Sequence, residues 1–466
     1  MKLILLSGGS GKRLWPLSND ARSKQFLKVL DNGLGEMESM VQRVWRQLST
    51  LGLDKFSYIT ANRSQTDMLK SQLGDEIPII LEPERRDTFP AIALAAVYLS
   101  DIENVDPDET VCVLPVDPYV DLSYFQKIIQ LEEALNKSKA DLALMGVTPT
   151  YPSEKYGYIV PCEDELSYGY KRVNCFVEKP VESKATELIA KQALWNCGVF
   201  AFRLRFLLNI LEQKQYKLDY HWMSEHYREL SKISFDYEVV EQTSKVVVIP
   251  HEGSWKDLGT WNTLTEEIQK PIMGKGQLSV DSTNTHLINE LDIPVTIMGI
   301  TNAIIAVSPD GILVADKSAS SKLKLMLGDT QHRPMYEERL WGWYRILDYT
   351  KNDNGFEVLT KRIGIHANKN LSYQIHYDRA EIWTVISGHG ECVIEGKLQA
   401  VSPGTTINIT PGTRHALKAH SDMELIEVQI GQELIEEDIY REAMDWTEIL
   451  KRARLDNLDK VDVETR

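Results

Sequence analysis

Lys2-Leu3-Ile4-Leu5-Leu6-Ser7-Gly8-Gly9-Ser10-Gly11-Lys12-Arg13-Leu14-Trp15-Pro16-Leu17-Ser18 opens the chain, and Lys24-Gln25-Phe26 follows shortly after. An apolar run of strand length enters a loop whose glycines let backbone N–H groups approach a ligand with no Cβ in the way. Lys12, Arg13, Arg22 and Lys24 supply positive charge for several phosphates, so a nucleoside triphosphate is the natural guest. Two commoner glycine-rich loops fail on spacing. A Walker A loop needs a glycine where Leu6 stands and Ser or Thr where Arg13 stands. A dinucleotide fingerprint begun at Gly9 and Gly11 meets Leu14 where its third glycine belongs. An ordinary tight turn after a first strand would explain the glycines but not the adjoining cations.

Outward from this loop, residues 1 to about 265 alternate apolar and amphipathic runs. Lys2–Leu6, Phe56–Thr60, Ile77–Leu81, Thr110–Leu114 and Leu142–Val147 read as strands, and Pro90–Ser100 and Tyr124–Lys137 as helices. This βαβ pattern predicts an α/β fold with a mostly parallel sheet, whose ligands lie beyond the carboxyl ends of the strands. From about 275 to 330 the runs shorten (Val295–Ile300, Ala303–Val307, Gly311–Ala315), giving a β-rich connector, and a polar helical patch is expected around Lys322–Glu338. Dense strands follow to about 432, then a terminal helix. The expected boundaries are 1–268, 269–335 and 336–466.

Composition limits the function. The chain has 466 residues, too long for one ordinary core. Sixty-eight Asp and Glu against 52 Lys and Arg argue against a nucleic-acid or membrane-surface partner. No run of roughly 18 apolar residues exists, and the opening run is not a signal peptide, so a cytoplasmic protein is expected. Five scattered cysteines without a CxxC pair read as free thiols.

Further motifs occur in order: Glu82-Pro83-Glu84-Arg85-Arg86-Asp87-Thr88-Phe89-Pro90-Ala91, Leu114-Pro115-Val116-Asp117, Tyr156-Gly157-Tyr158-Ile159, Phe176-Val177-Glu178-Lys179-Pro180, Trp195-Asn196-Cys197-Gly198 and Trp255-Lys256-Asp257-Leu258-Gly259-Thr260-Trp261. With these the chain resembles, over nearly its whole length, the bacterial mannose-1-phosphate guanylyltransferases of the long type, which end in a cupin domain like that of type II phosphomannose isomerases. The resemblance implies a Rossmann-like nucleotidyltransferase domain, a short left-handed β-helical connector and a cupin barrel. It also implies a reaction in which GTP and mannose 1-phosphate give GDP-mannose and pyrophosphate with Mg²⁺.

Site residues follow from charge and from the resemblance together. Arg13 is expected to grip the leaving pyrophosphate and Lys24 to sit at the α-phosphate. Gly8, Gly9, Ser10, Gly11 and Lys12 form the nucleotide loop, with Lys12 in place of the family's usual Thr. Asp117, at the end of an apolar strand, is placed to hold Mg²⁺ or simply to make a turn before Pro118. The resemblance brings Asp257 to it as a second carboxylate. Glu82, Arg86 and Asp87 are expected near the base. Asp87 stands where the family has Asn, and it either accepts from guanine or caps the helix near Pro90, the cap being preferred. On the sugar side the resemblance puts Glu178 and Lys179 against the hydroxyls and phosphate, with Asn196 hydrogen-bonding and Gly157 letting the ring close to the backbone.

In the last section, Gln374-Ile375-His376-Tyr377-Asp378-Arg379-Ala380-Glu381-Ile382-Trp383 and Pro411-Gly412-Thr413-Arg414-His415 form a cupin-like motif pair. Inward-pointing Gln374, His376, Glu381 and His415 could ring a second divalent metal such as Zn, Co, Mn or Fe. The isomerases usually carry histidines at the places of Asp378 and Ile382, and Ile382 neither ligates a metal nor moves a proton. A working isomerase site and a barrel kept for oligomer contacts or regulation both remain open readings. Barrels of this kind pair by their edges and faces, so a homodimer is the expected assembly.

Overall fold

Continuous apolar strands need cover on both faces, and the first sheet provides it. A computed structural model describes residues 1–8, 11–19, 21–165, 169–328, 333–435 and 438–464. Its nine-stranded sheet has the order Ile79–Glu82, Ser57–Asn62, Lys2–Leu6, Thr110–Pro115, Leu194–Arg203, Leu142–Val147, Val246–His251, Lys171–Val177 and Tyr158–Glu165. The first four strands are parallel. Leu194–Arg203 runs antiparallel to both neighbours, and Lys171–Val177 and Tyr158–Glu165 add an antiparallel edge. The sheet is therefore parallel where it carries the opening loop and mixed beyond it.

Leu3, Ile4, Leu5 and Val111 to Leu114 are fully buried, each such aliphatic side chain contributing about 1.5–3 kcal/mol. Helices Met40–Thr50 and Leu122–Ser138 cover one face, and Thr88–Asp101 and Leu204–Gln213 the other. Thr88–Asp101 is buried from Phe89 to Val97, which explains its nearly all-apolar sequence. Ser39 starts Met40–Thr50 with a complete capping box closed by Gln42.

By internal contacts the chain divides into two compact units. One is residues 1–288 with 296–305 and 314–328, and the other is 289–295 with 306–313 and 329–466. In the first unit Ile272 and Met273 pair in parallel with Leu287 and Ile288 of the connector.

The expected helical patch at Lys322–Glu338 needs correcting. Among the described residues of this stretch helix covers only Leu323–Leu327, after a 3-10 turn at Ser318–Lys322, and it is followed by Gly328 with φ +60°. Tyr336–Arg339 is instead a strand paired antiparallel with Gly342–Lys351. The charges there were read as helix surface, but Pro334 and the neighbouring sheet edge favour extended backbone. The tail likewise contributes a strand, Tyr440–Ala443, before the helix Trp446–Glu464.

The second unit is a cupin barrel of two antiparallel sheets. One runs Tyr336–Arg339, Gly342–Lys351, Glu357–Ile365, Met423–Gly431, Arg379–Ser387 and Thr406–Ile409. The other runs Lys397–Val401, Gly390–Ile394, His415–Ala419, Tyr373–Ile375 and Tyr440–Ala443. Strict alternation sends Arg379, Glu381, Trp383 and Val385 to one buried face. The same alternation buries Lys361 between Leu359 and Ile363, and Glu427 and Gln429 beyond Leu425. Part of the barrel interior is therefore apolar and part is charged.

Candidate active site

Lys24 is aimed by its neighbours. Phe26 is fully buried, and Gln25, also buried, donates from Nε2 to the Ser7 carbonyl at 3.1 Å, tying the Lys24–Phe26 turn to the end of the first strand. From there the Lys24 ammonium meets Asp117 Oδ2 and Asp257 Oδ1, each at 2.8 Å. A short antiparallel ladder brings the two distant carboxylates together, Trp255, Lys256 and Asp257 pairing with Val120, Tyr119 and Pro118. Register thus sets Asp257 opposite the residue after Asp117. The Trp261 indole N–H donates to the Trp15 carbonyl at 3.1 Å and anchors the segment after Asp257 to the opening loop.

Burial opposes the charge on Lys24, but the two carboxylates outweigh it and hold its pKa above the ordinary lysine value. Burial likewise pushes the Asp257 carboxyl up, yet Lys24 and then Arg13 hold it below the usual aspartate range. Lys24 and Asp257 are therefore ionised at neutral pH, with Asp117 beside them. They line a cavity of about 310 Å³ with Arg13, Gln25, Pro115, Pro118, Tyr156, Asn196, Cys197 and Trp255. Two carboxylates converging on one cation form a hard-oxygen donor set that fits Mg²⁺.

Asn196 links this cavity to a second polar cluster. Its Nδ2 donates to Asp236 Oδ1 at 2.7 Å, and its Oδ1 accepts from the Gly198 N–H at 3.1 Å. Burial and the Glu178 charge raise the Asp236 pKa to about 7. Glu178 pairs with Lys179 at 2.7 Å through Oε1, while its buried Oε2 has no partner. A Cβ on Gly157 would collide with that Oε2 and with the Phe176 ring, so only glycine fits there. Tyr156 packs on Trp195 (4.8 Å between ring centroids) and Trp255 (5.4 Å), and the buried indole N–H groups of both tryptophans lack partners. Unsatisfied buried donors beside an unsatisfied carboxylate oxygen mark a place built for a polar ligand.

The remaining expected residues divide. Gly8 faces open space, while Gly9 and Ser10 lie outside the described residues, as does the Lys12 side chain. Gly11 begins the 3-10 turn Gly11–Leu14, which carries Arg13. Glu82, Arg86 and Asp87 stand apart from the cavity lining. Buried Glu82 accepts from the Tyr227 hydroxyl at 3.0 Å, and burial pushes its pKa up to about 7. Arg86 donates from Nη1 to Glu84 Oε1 at 2.8 Å and from Nη2 to the Leu230 carbonyl at 3.0 Å, while its buried Nε has no partner. Asp87, at φ +98°, accepts from the Thr88 N–H at 2.8 Å and caps Thr88–Asp101.

Sequence reasoning missed Asp236, Trp195 and Trp255 as site residues. The only local sign of Asp236 is an acid directly after the apolar Phe235, at the start of a π-helical turn, Asp236–Val240.

In the barrel, Gln374, His376, Glu381 and His415 do come together. The ligand atoms of His376, Glu381 and His415 lie within 4.8 Å of one another. His376 Nδ1 faces the Asp438 carbonyl at 2.5 Å and His415 Nδ1 the Thr413 carbonyl at 2.9 Å, so each Nδ1 carries the proton. Burial lowers both pKa values to about 4, helped by Arg379 for His376 and by His376 for His415.

A parallel-to-mixed sheet with cations and paired carboxylates beyond its strand ends defines a nucleotidyltransferase site. The chain belongs to the nucleotidyl transferase family, whose model matches residues 2–272, and a mannose-6-phosphate isomerase C-terminal model matches residues 328–443. Enzymes of this family generally use a divalent metal.

Among its relatives are a putative mannose-1-phosphate guanylyltransferase of Vibrio cholerae, 32% identical over 94% of this chain and 98% of that protein, and the mannose-1-phosphate guanylyltransferase RfbM of Salmonella typhimurium, 31% identical over 94% and 96%. The alginate biosynthesis protein AlgA of Pseudomonas putida is 32% identical over 94% of both chains. A crystal structure titled mannose-1-phosphate geranyltransferase from Thermus thermophilus covers 70% of this chain and 98% of its own, at 28% identity and a TM-score of 0.59. No helix among the described residues is long and apolar enough to cross a membrane.

Proposed function

We propose that the chain makes GDP-mannose and pyrophosphate from GTP and α-D-mannose 1-phosphate. The observation that carries this reading is the Lys24 ammonium shared by Asp117 and Asp257 in a cavity that Arg13 also lines. The names of the relatives support mannose as the sugar and guanylyl as the transferred group.

In the reaction a sugar-phosphate oxygen attacks the α-phosphorus, and the bond from that phosphorus to pyrophosphate breaks. Anion meets anion, so catalysis rests on positioning and on neutralising charge. Asp117 and Asp257 would hold Mg²⁺, which when bound offsets triphosphate charge and fixes its oxygens. Lys24, kept protonated by the same carboxylates, would meet the α-phosphate. Arg13 grips the departing pyrophosphate with its guanidinium fork.

Glu178 Oε2 and the Asn196 amide accept and donate to sugar hydroxyls, Lys179 meets the sugar phosphate, and Gly157 leaves room for the ring. Asp236 fixes the orientation of the Asn196 amide. The Gly8–Lys12 backbone and Glu82 surround the nucleotide, while Arg86 and Asp87 shape the loop beside it. The three-part division at 1–268, 269–335 and 336–466 belongs to this reading.

Pyrophosphate release measured with Mg²⁺, each nucleoside triphosphate and a panel of hexose 1-phosphates tests it. Turnover is expected with GTP and mannose 1-phosphate. Preference for another pair would replace the substrates, and no turnover with any pair would remove the reading.

A further inference from the structure

The four candidate metal ligands of the barrel already have partners. Arg379, almost wholly buried, donates from Nε to Glu381 Oε1 at 2.9 Å and sets Nη2 3.3 Å from His376 Nε2. Gln374 turns its Nε2 toward His376 Nε2 (3.3 Å) and His415 Nε2 (3.4 Å), and its Oε1 accepts from Ser372 Oγ at 2.7 Å. Glu381 also accepts from Gln429 Nε2 on Oε1 (3.2 Å) and from Trp383 Nε1 on Oε2 (3.2 Å). Since both imidazoles carry their proton on Nδ1, each Nε2 is an acceptor with an N–H pointed at it, and each also faces a Glu381 oxygen, His376 Nε2 at 3.2 Å from Oε1 and His415 Nε2 at 3.7 Å from Oε2. A metal needs those same lone pairs.

Charge makes the same point. The buried basic side chains here are Arg379 and Lys361 and the buried acids Glu381 and Glu427, the latter pair joined by the Trp383 and Gln429 side chains. A divalent ion would add two positive charges beside the Arg379 guanidinium, which already has Glu381 and, at 4.0 Å, Asp438 as its carboxylate neighbours. A guanidinium does not shed its proton, so Arg379 cannot yield by neutralising.

We infer that Arg379 is the resident cation of this barrel: its guanidinium, with the Gln374 amide, satisfies the His376, Glu381 and His415 cluster, and the domain is built metal-free. The ring of ligands suggested by the motif pair is a hydrogen-bonded core, organised by an arginine that alternation places on the same strand face as Glu381.

The test is a metal count on the full chain. Protein is stripped with a chelator, equilibrated with Zn²⁺ or Co²⁺, passed through a desalting column and assayed for metal per chain, beside His415→Asn treated identically. The comparison separates the barrel from the Asp117 and Asp257 cavity, which both proteins keep. Expected is no equivalent that depends on His415, and a melting temperature for the wild type that the chelator leaves unchanged. A full equivalent present in the wild type and lost in His415→Asn would overturn the inference. Arg379→Gln removes the cation and is expected to gain a His415-dependent equivalent. A folded Arg379→Gln protein that gains none would also count against Arg379 as the excluding group. Should that variant not fold, the wild-type count decides alone.

Discussion

The chain carries two clusters built from the same materials, acids around a cation, and they differ in what is left over. In the first, Lys24 bridges Asp117 and Asp257 at the wall of a cavity, with unsatisfied indole N–H groups and a free Glu178 oxygen nearby. In the second, Arg379, Glu381, Glu427, Gln429 and Trp383 hydrogen-bond one another around two buried histidines. Leftover hydrogen-bonding capacity beside open space is what a ligand can use, and a completed network offers only rigidity. Charge composition alone does not distinguish the two, but their partners do.

The sharpest way to break the contrast is to remove one charge from the closed cluster. Glu381→Ala removes the carboxylate that Arg379 bonds directly, leaving Asp438 at 4.0 Å, and should cost about 3–5 kcal/mol in unfolding free energy by chemical denaturation, with kcat for nucleotidyl transfer unchanged. The matching change in the open cluster acts on rate. Asp257→Asn should lower kcat by about 100- to 1,000-fold in a pyrophosphate-release assay while melting stays close to wild type.

Asp236→Asn sharpens the contrast within the open site. Loss of the carboxylate that orients the Asn196 amide should raise KM for the sugar phosphate about tenfold, about 1.4 kcal/mol, with kcat and KM for the nucleotide little changed. Asp87 carries a smaller effect. Asp87→Ala should cost about 1 kcal/mol through the lost cap of Thr88–Asp101 and its φ of +98°, Asp87→Gly less, and neither should alter the choice of nucleotide.

The smallest effect is a slope. Glu82 has a folded pKa of about 7 against an unfolded value near 4.5, so the native state holds the extra proton between them. Its contribution to stability therefore falls as pH rises from about 4.5 to about 7 and is level above that. Glu82→Gln should flatten that part of the melting-temperature profile.

Much of this was legible in the sequence because it is local. The strand-length run Lys2–Leu6, the glycine loop, the amphipathic helices and the alternation of Arg379–Ser387 are short-range patterns that need no partner to be read. What was illegible depends on register between distant segments. Nothing near Asp257 tells that its strand pairs Pro118, and nothing near Asn196 points to Asp236. The Tyr336–Arg339 strand looked like helix surface because its charges suit either, and a sheet edge decided it. Arg379 stands inside the quoted motif, yet its bonds to Glu381 and His376 are legible only with the side chains in place.

In the proposed reading the open cluster is the one that needs a metal and does the chemistry. Its most direct test is pyrophosphate release from GTP and mannose 1-phosphate by chelator-stripped protein to which single divalent ions are restored. The account predicts no turnover without metal, full recovery with Mg²⁺ alone, and loss of that recovery in Asp257→Asn. Turnover by the stripped protein, or Mg²⁺-supported turnover that survives Asp257→Asn, would contradict it.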